Sequence, residues 1–304
     1  MNPVAASSAE FPAGPHHTLA RLSFGFLLDE ITTGLAALEP LDALLVLAIN
    51  QANIVPLTRD ADARARYGQL DAPAPDDERC PVSINAVAGS LGLPFETTRR
   101  RIRRLAGGGT CIVSPEGVVV PASFLASPAY FASVLAGHER LHRFYLDLRT
   151  AGLVEEMPPP AYGLEGRVPV RAAARLLADY MLRMSDGLMR EAGSVVSALL
   201  LAALLDAALQ APEAAPRSMS ALRARLRLPG ETVRRHVARL ADDGLVTRTT
   251  AGAVLLPESF ARPGLQRLFD DNAANVQRLL AGLAERGVIL AWETGGSMEG
   301  RASA

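Results

Sequence analysis

The hydrophobic residues of this chain recur at helical spacing in two places that resemble each other. Positions one helical turn apart are apolar or aromatic in both, which predicts a long helix with one buried face near the start of each half. A second, almost wholly apolar helix follows each of them, with the most apolar run at residues 195–205. The repeated positions are Leu27, Leu28, Ile31 and Leu35 in the first place and Tyr180, Met181, Met184 and Leu188 in the second.

Two stretches of sequence show that this likeness is an internal duplication. LGLPFETTRRRIRRLAGGGT at residues 91–110 aligns without a gap with LRLPGETVRRHVARLADDGL, displaced by 135 residues. The first helices align at a displacement of 153 residues, Gly34 with Gly187, so the first half carries 18 extra residues. They fall in TRDADARARYGQLDAPAPDDER, residues 58–79, where the lack of any apolar period predicts a surface loop.

Each copy of the repeat predicts the same local structure. A short helix, at residues 85–91 and 220–226, and a proline-bearing turn precede a stronger helix that ends near Ala106 or Ala241, which is the spacing of a helix-turn-helix. Two β-rich runs around a glycine-bearing turn follow, TCIVSPEGVVV and LVTRTTAGAVLL, and each predicts a β-hairpin. Two more helices close each half, ending near Gly152 and Gly287.

The stronger helix of each copy has an apolar face and a cationic face when it is rotated by about 100° per residue. The predicted inward residues are Thr98, Ile102 and Leu105 in the first copy and Val233, Val237 and Leu240 in the second. Arginine on the opposite face can bridge guanine O6 and N7 or bind phosphate. The candidate DNA-contacting residues, one of them in the second hairpin, are Thr97, Arg99, Arg100, Arg103, Arg104, Thr232, Arg234, Arg235, His236, Arg239 and Arg248.

An ordinary solvated face is the alternative interpretation of these helices. Glu96 would then pair with Arg100, and Glu231 with Arg235, at the i and i+4 spacing of surface ion pairs. Repetition of the whole arrangement favours a binding role instead. The second copy has two aspartates where the first has glycines, which weakens its attraction for phosphate, but it gains three cations just before its stronger helix: Arg223, Arg225 and Arg227.

Composition and charge limit the kind of protein in which such a binding site would occur. A chain of 304 residues with 49% hydrophobic residues predicts about two globular domains. All 31 basic residues are arginine, yet the net charge is −1, so any nucleic-acid site must be local. Two cysteines, no signal-peptide pattern and no apolar run of about 20 residues predict a cytoplasmic protein that does not contact a membrane.

The stretch HERLH, residues 138–142, matches the zinc-binding helix of metalloproteases over five residues. His138 and His142 would share one helix face, and Glu139 could act as a general base on zinc-bound water. The second copy reads AANVQ at this place, and Arg140 would put a cation beside the metal. We therefore expect no metal site, no catalytic residue, no cofactor and no enzymatic activity.

Two further chemical possibilities are weaker. Cys80 and Cys111 could approach each other if the segment before the short helix pairs with the hairpin, although two buried thiols is the favoured interpretation. Tyr180, Met181 and Met184 could line an apolar pocket for an effector, but a helix core is the more common role of such residues.

The segments LPFETTRRRIRRL and LPGETVRRHVARLADDGLV resemble the winged helix-turn-helix of bacterial transcription regulators of the MarR, GntR and IclR type. The order of two helices, helix-turn-helix, hairpin and two closing helices is most similar to a MarR-type subunit, here present twice. The resemblance implies that terminal helices pair two subunits, so that two recognition helices enter successive major grooves of double-stranded DNA. It also implies that small molecules bind between the pairing helices and the DNA-binding part.

These observations lead to a definite expectation for fold and function. The fold class is mostly α with two small β-hairpin wings, as duplicated winged helix-turn-helix modules with flanking helices. We expect a flexible tail at 1–18, modules at 19–154 and 168–290, a linker at 155–167 and a C-terminal tail at 291–304. The resemblance implies a transcription regulator that binds DNA as an intrachain pseudo-dimer, with a small-molecule effector and a homodimer as further partners. A protein–protein interaction module without specific DNA binding is the alternative.

Overall fold

The computed structural model describes residues 14–67, 73–161, 168–211 and 216–295. We call residues 14–161 the first half and residues 168–295 the second half. The first half contains α1 (Pro15–Thr33), α2 (Pro40–Asn53), α3 (Val55–Arg59), α4 (Ala61–Arg66), a 3-10 turn (Asp76–Glu78), α5 (Ile84–Ser90), α6 (Phe95–Gly107), β1 (Ile112–Ser114), β2 (Gly117–Val119), α7 (Ala122–Leu125) and α8 (Pro128–Thr150). The second half contains α9 (Val170–Ala192), α10 (Val195–Gln210), α11 (Met219–Leu226), α12 (Gly230–Asp242), β3 (Thr247–Thr249), β4 (Gly252–Val254), a 3-10 turn (Pro257–Ala261), α13 (Pro263–Glu285) and α14 (Val288–Glu293). The protein is thus mostly helical with two small antiparallel strand pairs, as expected.

The repeat in the sequence is also a repeat in the structure. The pairs α6 and α12, β1 and β3, β2 and β4, and α8 and α13 each have the same length and are displaced by 135 residues. The short helices α5 and α11 both begin behind a serine, Ser83 or Ser218, whose hydroxyl accepts a hydrogen bond from the backbone N–H three residues on. Corresponding local sequences therefore fold into corresponding local structures in both halves.

A glycine in each hairpin lets a third backbone segment join the two strands. Val82 pairs with Val118 on β2, and Arg217 pairs with Ala253 on β4, each through reciprocal backbone hydrogen bonds. The neighbouring Gly117 and Gly252 have φ of 141° and 148°. A Cβ atom at Gly252 would lie 2.1 Å from the Arg217 carbonyl oxygen, so only glycine permits this approach.

The two halves pack on each other reciprocally. Helix α1 packs on α10 and α13 of the second half, and its counterpart α9 packs on α2 and α8 of the first. One continuous hydrophobic core runs through both halves and contains nearly all of α10 and the inward residues of α2. Phe24 meets Phe269, Phe26 meets Tyr180, and the Asn272 amide donates to the Ser23 hydroxyl across the same boundary. The apolar helices therefore form a shared core, and the halves are not two independent domains.

The predicted tails and linker need correction at their edges. Helix α1 begins at Pro15, so His16 and His17 lie in a helix and not in a tail. Helix α14 covers 288–293, inside the predicted C-terminal tail, because its apolar residues pack on the core. Residues 155–161 lie against α13, where the Gln277 amide donates to Glu155 and Ala161 N–H donates to the Glu285 carbonyl. Residues 1–13, 162–167 and 296–304 of these segments lie outside the described residues.

The segment at 58–79 is not the structureless loop that its sequence predicts. It contains α4 and a 3-10 turn, and Ala63, Tyr67 and Ala74 form a small separate cluster of buried side chains. The Tyr67 hydroxyl donates to Glu78 over 2.6 Å, and the following Arg79 is buried. Contacts between the two ends of the segment therefore stabilise it, although its sequence has no apolar period. Residues 68–72 lie outside the described residues.

No single helix in the described ranges combines the length and apolar composition of a membrane span. Helices α9 and α10 meet these criteria only as a pair, across a bend of 98°.

Candidate nucleic-acid interface

Helices α6 and α12 bury the residues that the periodicity predicts. Thr98, Ile102 and Leu105 of α6 are buried, as are Val233, Val237 and Leu240 of α12. Each helix follows a short helix and a turn and has a proline at its N-cap, and its apolar face packs in the core. The opposite, arginine-rich face of each helix is therefore held toward solvent.

Two arginines on α6 project into solvent without a partner. Arg100 and Arg103 are exposed and make no ion pair or side-chain hydrogen bond within the described residues. Glu96 accepts hydrogen bonds from Arg99, and the closest of these contacts is 2.5 Å. This pairing holds the pKa of Glu96 below its usual range. The alternative interpretation gave Glu96 to Arg100; with Glu96 on Arg99, Arg100 is left available among the described residues.

The candidate residue Arg104 has partners within the protein. Asp42, in the first turn of α2, accepts from Arg104 and, over 2.7 Å, from Arg101. The Asp42 side chain is only 5% exposed, and Glu39 lies 3.5 and 3.6 Å from the same two guanidinium groups. The sequence did not indicate that the start of α2 lies beside the end of α6.

Helix α12 presents fewer available cations than α6. Arg235 is exposed without an ion pair in the described structure, whereas Arg234 pairs with Glu231 over 2.7 Å. His236 faces α10, where its Nδ1 atom lies 2.8 Å from the Ser197 hydroxyl, so this candidate residue has a partner within the protein. Burial and the neighbouring arginines lower the pKa of His236, so the ring is neutral at pH 7. Arg239 lies over Gly193 and 4.0 Å from Asp243.

The cations near α11 are mostly engaged in contacts within the protein. Arg225 pairs with Asp206 over 2.9 Å, and Arg227 donates to the Thr32 carbonyl of the first half over 2.7 Å. Of the three, Arg223 alone is exposed with no ion pair or side-chain hydrogen bond among the described residues.

The structure brings several candidate residues together in two open surface depressions. One is formed by Glu96, Thr97, Arg99, Arg100 and Arg103 of α6. The other joins Arg234 of α12 with Arg248 of β3 and the turn that follows it. Thr232 is half-buried at the start of α12. Each half therefore has one cationic surface centred on its stronger helix.

The histidines of HERLH are occupied by an aromatic neighbour that the sequence analysis had assigned to a tail. The Trp292 indole N–H on α14 donates to His138 Nε2 over 2.9 Å, and the Trp292 ring stacks on His142. Arg140 pairs with the buried Glu30 of α1, at 2.5 Å and 3.1 Å. No group of three potential metal ligands occurs in the described part of the chain. The residues of the motif thus take part in ring stacking, a hydrogen bond and a buried ion pair.

The free energy of unfolding should fall by about 2 kcal/mol as the pH drops from about 6.5 to about 4 because of His138. Burial, with a smaller effect of His142, lowers the pKa of His138 from 6.5 to about 4. In this window the unfolded chain binds a proton that the folded chain does not, so this stability is present above pH 6.5 and is lost below it. Urea unfolding across pH should show a flatter profile for His138→Gln, whose amide oxygen still accepts from Trp292. Identical profiles would contradict this assignment.

The two cysteines do not form a disulfide. Cys80 is exposed and Cys111 is buried, so the expectation of two buried thiols is right for Cys111 only. Burial raises the pKa of Cys111 to about 12, which keeps the thiol protonated and unreactive.

Comparisons with known proteins identify no relative of this chain. No protein-family model, no curated protein and no solved structure matches the chain. The functional interpretation therefore rests on the residues and the geometry described above.

Proposed function

We propose that this protein is a sequence-specific DNA-binding transcription regulator built from two winged helix-turn-helix modules, with α6 and α12 as recognition helices. The observation that carries the proposal is the repeated unit. In both halves a short helix, a turn, an arginine-rich helix and a three-segment hairpin follow each other with the same spacing. Such a unit, present twice in one chain and joined through a shared core, matches the arrangement of a dimeric regulator.

Free arginine side chains supply the chemistry of recognition. Arg100 and Arg103 on α6 and Arg235 on α12 have no internal anion to neutralise them among the described residues. A guanidinium group can donate two parallel hydrogen bonds to guanine or bind backbone phosphate. Paired arginines such as Arg99 and Arg234 can exchange their glutamate for phosphate, at the cost of one exposed ion pair.

The two halves present different surfaces to DNA. Where α6 carries Arg103, α12 carries Ala238, and where α6 carries Arg101, α12 carries His236. In the second half, the exposed Arg223 and Arg248 replace part of the positive charge that α12 lacks. The preferred operator is therefore a pair of unequal half-sites, with the stronger one bound by the first half.

A protein-interaction module is the second candidate, and one observation favours it. Phe95 at the start of α6 and Ile112 and Val113 on β1 are exposed apolar residues close to the cationic face. Together with a net charge of −1, they would suit a partner protein better than a phosphate backbone. In either case we place the protein in the cytoplasm and assign it no enzymatic activity, cofactor or membrane contact. A homodimer would present four recognition helices.

Selection from sheared genomic DNA tests the proposal. The purified chain should enrich specific fragments at moderate salt, and footprinting of the best fragment should show two protected half-sites about one helical turn apart. One chain per site, measured by titration, would establish the pseudo-dimer. Retention of DNA only at low salt, without enrichment of any sequence, would exclude specific regulation and favour a protein partner.

A further inference from the structure

The turn between α11 and α12 contains an arginine in a backbone conformation that favours glycine. Arg227 has φ of 51° and ψ of 39°, in the left-handed region. Its counterpart in the first half, displaced by 135 residues, is Gly92, with φ of 56°. Both copies of the turn need this conformation, and a residue with a Cβ atom adopts it at a cost in free energy. Such a residue persists where the contacts around it hold it in place.

The contact that holds Arg227 crosses the boundary between the two halves. Its Nη2 atom donates over 2.7 Å to the carbonyl of Thr32, in the last turn of α1. Carbonyls in the last turn of a helix lack a donor within the helix, and the Ala36 N–H donates to Ser133 instead of continuing α1. The negative end of the α1 dipole also favours a cation at this place. Arg227 of the second half thus caps a helix of the first half.

A second arginine of α11 strengthens the same contact. Arg225 pairs with the buried Asp206 of α10 over 2.9 Å and lies 3.9 Å from Asp29 of α1. Asp29 precedes Thr32 by about one helical turn, so both arginines reach the same end of α1. The helix-turn-helix of the second half is therefore tied to α1 at two neighbouring positions.

The first half forms its helix-turn-helix without such a tie. Ser90 and Gly92 take the places of Arg225 and Arg227. A Cβ atom at Gly92 would meet, among the described residues, one atom within 4 Å, the Met189 sulfur of α9 at 3.9 Å. Because the two copies have the same local structure, the arginine contacts are not required to form the turn. Their role lies in the contact between the halves.

The end of α1 leads directly to the residue that anchors α6. The loop at 34–39 joins α1 to α2, and two of its alanines have positive φ, 49° and 61°. Beyond this constrained loop, Asp42 in the first turn of α2 accepts hydrogen bonds from Arg101 and Arg104 of α6. Contacts therefore continue without a break from the turn before α12, through the end of α1 and the start of α2, to α6.

We propose that Arg227 is a positioning residue that fixes the separation of α6 and α12. Its contact with Thr32 holds the second helix-turn-helix against the end of α1, and Asp42 holds α6 against the start of α2. Both arginine-rich helices are thereby placed relative to one segment of the chain. The consequence for DNA, a fixed distance between the two half-sites, rests on the proposed function.

Distances between spin labels on α6 and α12 of the full chain test this role. Labels on Arg100→Cys and Arg235→Cys, with Cys80→Ser to prevent labelling there, should give one narrow distance distribution by double electron–electron resonance. The buried Cys111 remains unlabelled because its thiol is protonated. Arg227→Gly removes the donor and suits the turn, so the distribution should broaden and its mean should shift by about 2 Å.

Two further variants at the same position separate the hydrogen bond from the backbone conformation. Arg227→Lys keeps a cationic donor on a long side chain and should retain the narrow distribution. Arg227→Asn accepts the left-handed conformation but is too short to reach Thr32, so it should behave like Arg227→Gly. Broadening that lysine does not reverse would overturn the proposal, because the donor would then not be the cause.

A control pair of labels distinguishes positioning from general loosening of the fold. Labels on Arg100→Cys and Arg267→Cys, the latter exposed on α13, avoid the second helix-turn-helix and should give the same distribution in every variant. The melting temperature of Arg227→Gly should change by less than about 3 °C, because relief of strain offsets the lost hydrogen bond. Broadening of both pairs, or an unchanged distribution between α6 and α12, overturns the proposal.

The consequence for DNA is measured with duplexes whose half-sites are moved apart one base pair at a time. Arg227→Gly should reduce the preference for the best spacing at least about fivefold and bind the second half-site alone as well as the original chain. Weaker binding to that single half-site, with a shallower salt slope, would make Arg227 a phosphate contact and overturn the positioning role. Absence of DNA enrichment would reject only the proposed function, because the label distances decide the positioning role without DNA.

Discussion

Joint replacement of Arg100 and Arg103 by alanine should weaken binding to the preferred duplex about 100-fold at moderate salt, because each free arginine on α6 contributes about 1–3 kcal/mol. Both side chains are exposed and unpaired in the described structure, so neither contributes to the stability of α6. The folded chain should therefore be unchanged in helix content and melting temperature. Fluorescence anisotropy with a labelled operator measures the affinity.

The salt dependence of the same variant distinguishes DNA contacts from a general charge effect. The slope of log affinity against log salt should become shallower by about 0.9 for each phosphate contact that is lost. Joint replacement of Arg143 and Arg183 by alanine removes the same charge from exposed positions on α8 and α9, and should leave both affinity and slope nearly unchanged. Equal losses in the two double variants would contradict a specific role for α6. Arg235→Ala alone should lower the affinity for the same duplex about tenfold.

Replacement of Asp42 by alanine should lower the free energy of unfolding by about 3 kcal/mol. Asp42 is buried in the first turn of α2 and accepts hydrogen bonds from both Arg101 and Arg104. Its loss leaves two guanidinium groups with only the more distant Glu39. Since Arg104 is 57% exposed, water recovers part of the cost, and we place the effect at the lower end for a broken buried pair.

A double-mutant cycle in urea unfolding measures this contribution. Asp42→Leu combined with Arg101→Leu should recover much of the stability lost by Asp42→Leu, because the unpaired charge is removed with its partner. Asp179→Ala removes an exposed ion pair on α9 and should change the free energy of unfolding by less than about 1 kcal/mol. Equal effects of Asp42→Ala and Asp179→Ala would show that the buried pair does not hold α6 in place.

Local sequence was sufficient to predict the long helices, the helix-turn-helix pairs, the hairpins, and the inward faces of α6 and α12. Ile102 and Val237 are buried as their spacing requires, because helical periodicity depends only on neighbours along the chain. The repeat strengthened this prediction, since two aligned sequences had to satisfy the same pattern. The turn and the stronger helix of each copy could therefore be predicted from 91–110 and 226–245 alone.

The partners of the charged residues could not be predicted in this way. Arg104 and His236 were expected to face DNA, but Asp42 and Ser197 on distant helices engage them. Their positions depend on how α2 and α10 pack against α6 and α12, which no local pattern encodes. The contacts of Trp292 were not predicted for the same reason, because the short helix after Gly287 packs on α13 and places Trp292 against α8. The apolar run VILAW at 288–292 is the sequence feature that could have predicted this helix.

The shared core has a further consequence for the two cationic surfaces centred on α6 and α12. Subunits of an ordinary dimer separate on dilution, so their combined affinity depends on protein concentration. Here α1 and α9 are buried within one chain, and the halves stay paired at any concentration. A substitution in a homodimer is also present in both subunits, whereas a substitution in this chain alters only one of its two halves. Under the proposed function, the fusion would therefore let the chain bind a DNA site whose two half-sites differ.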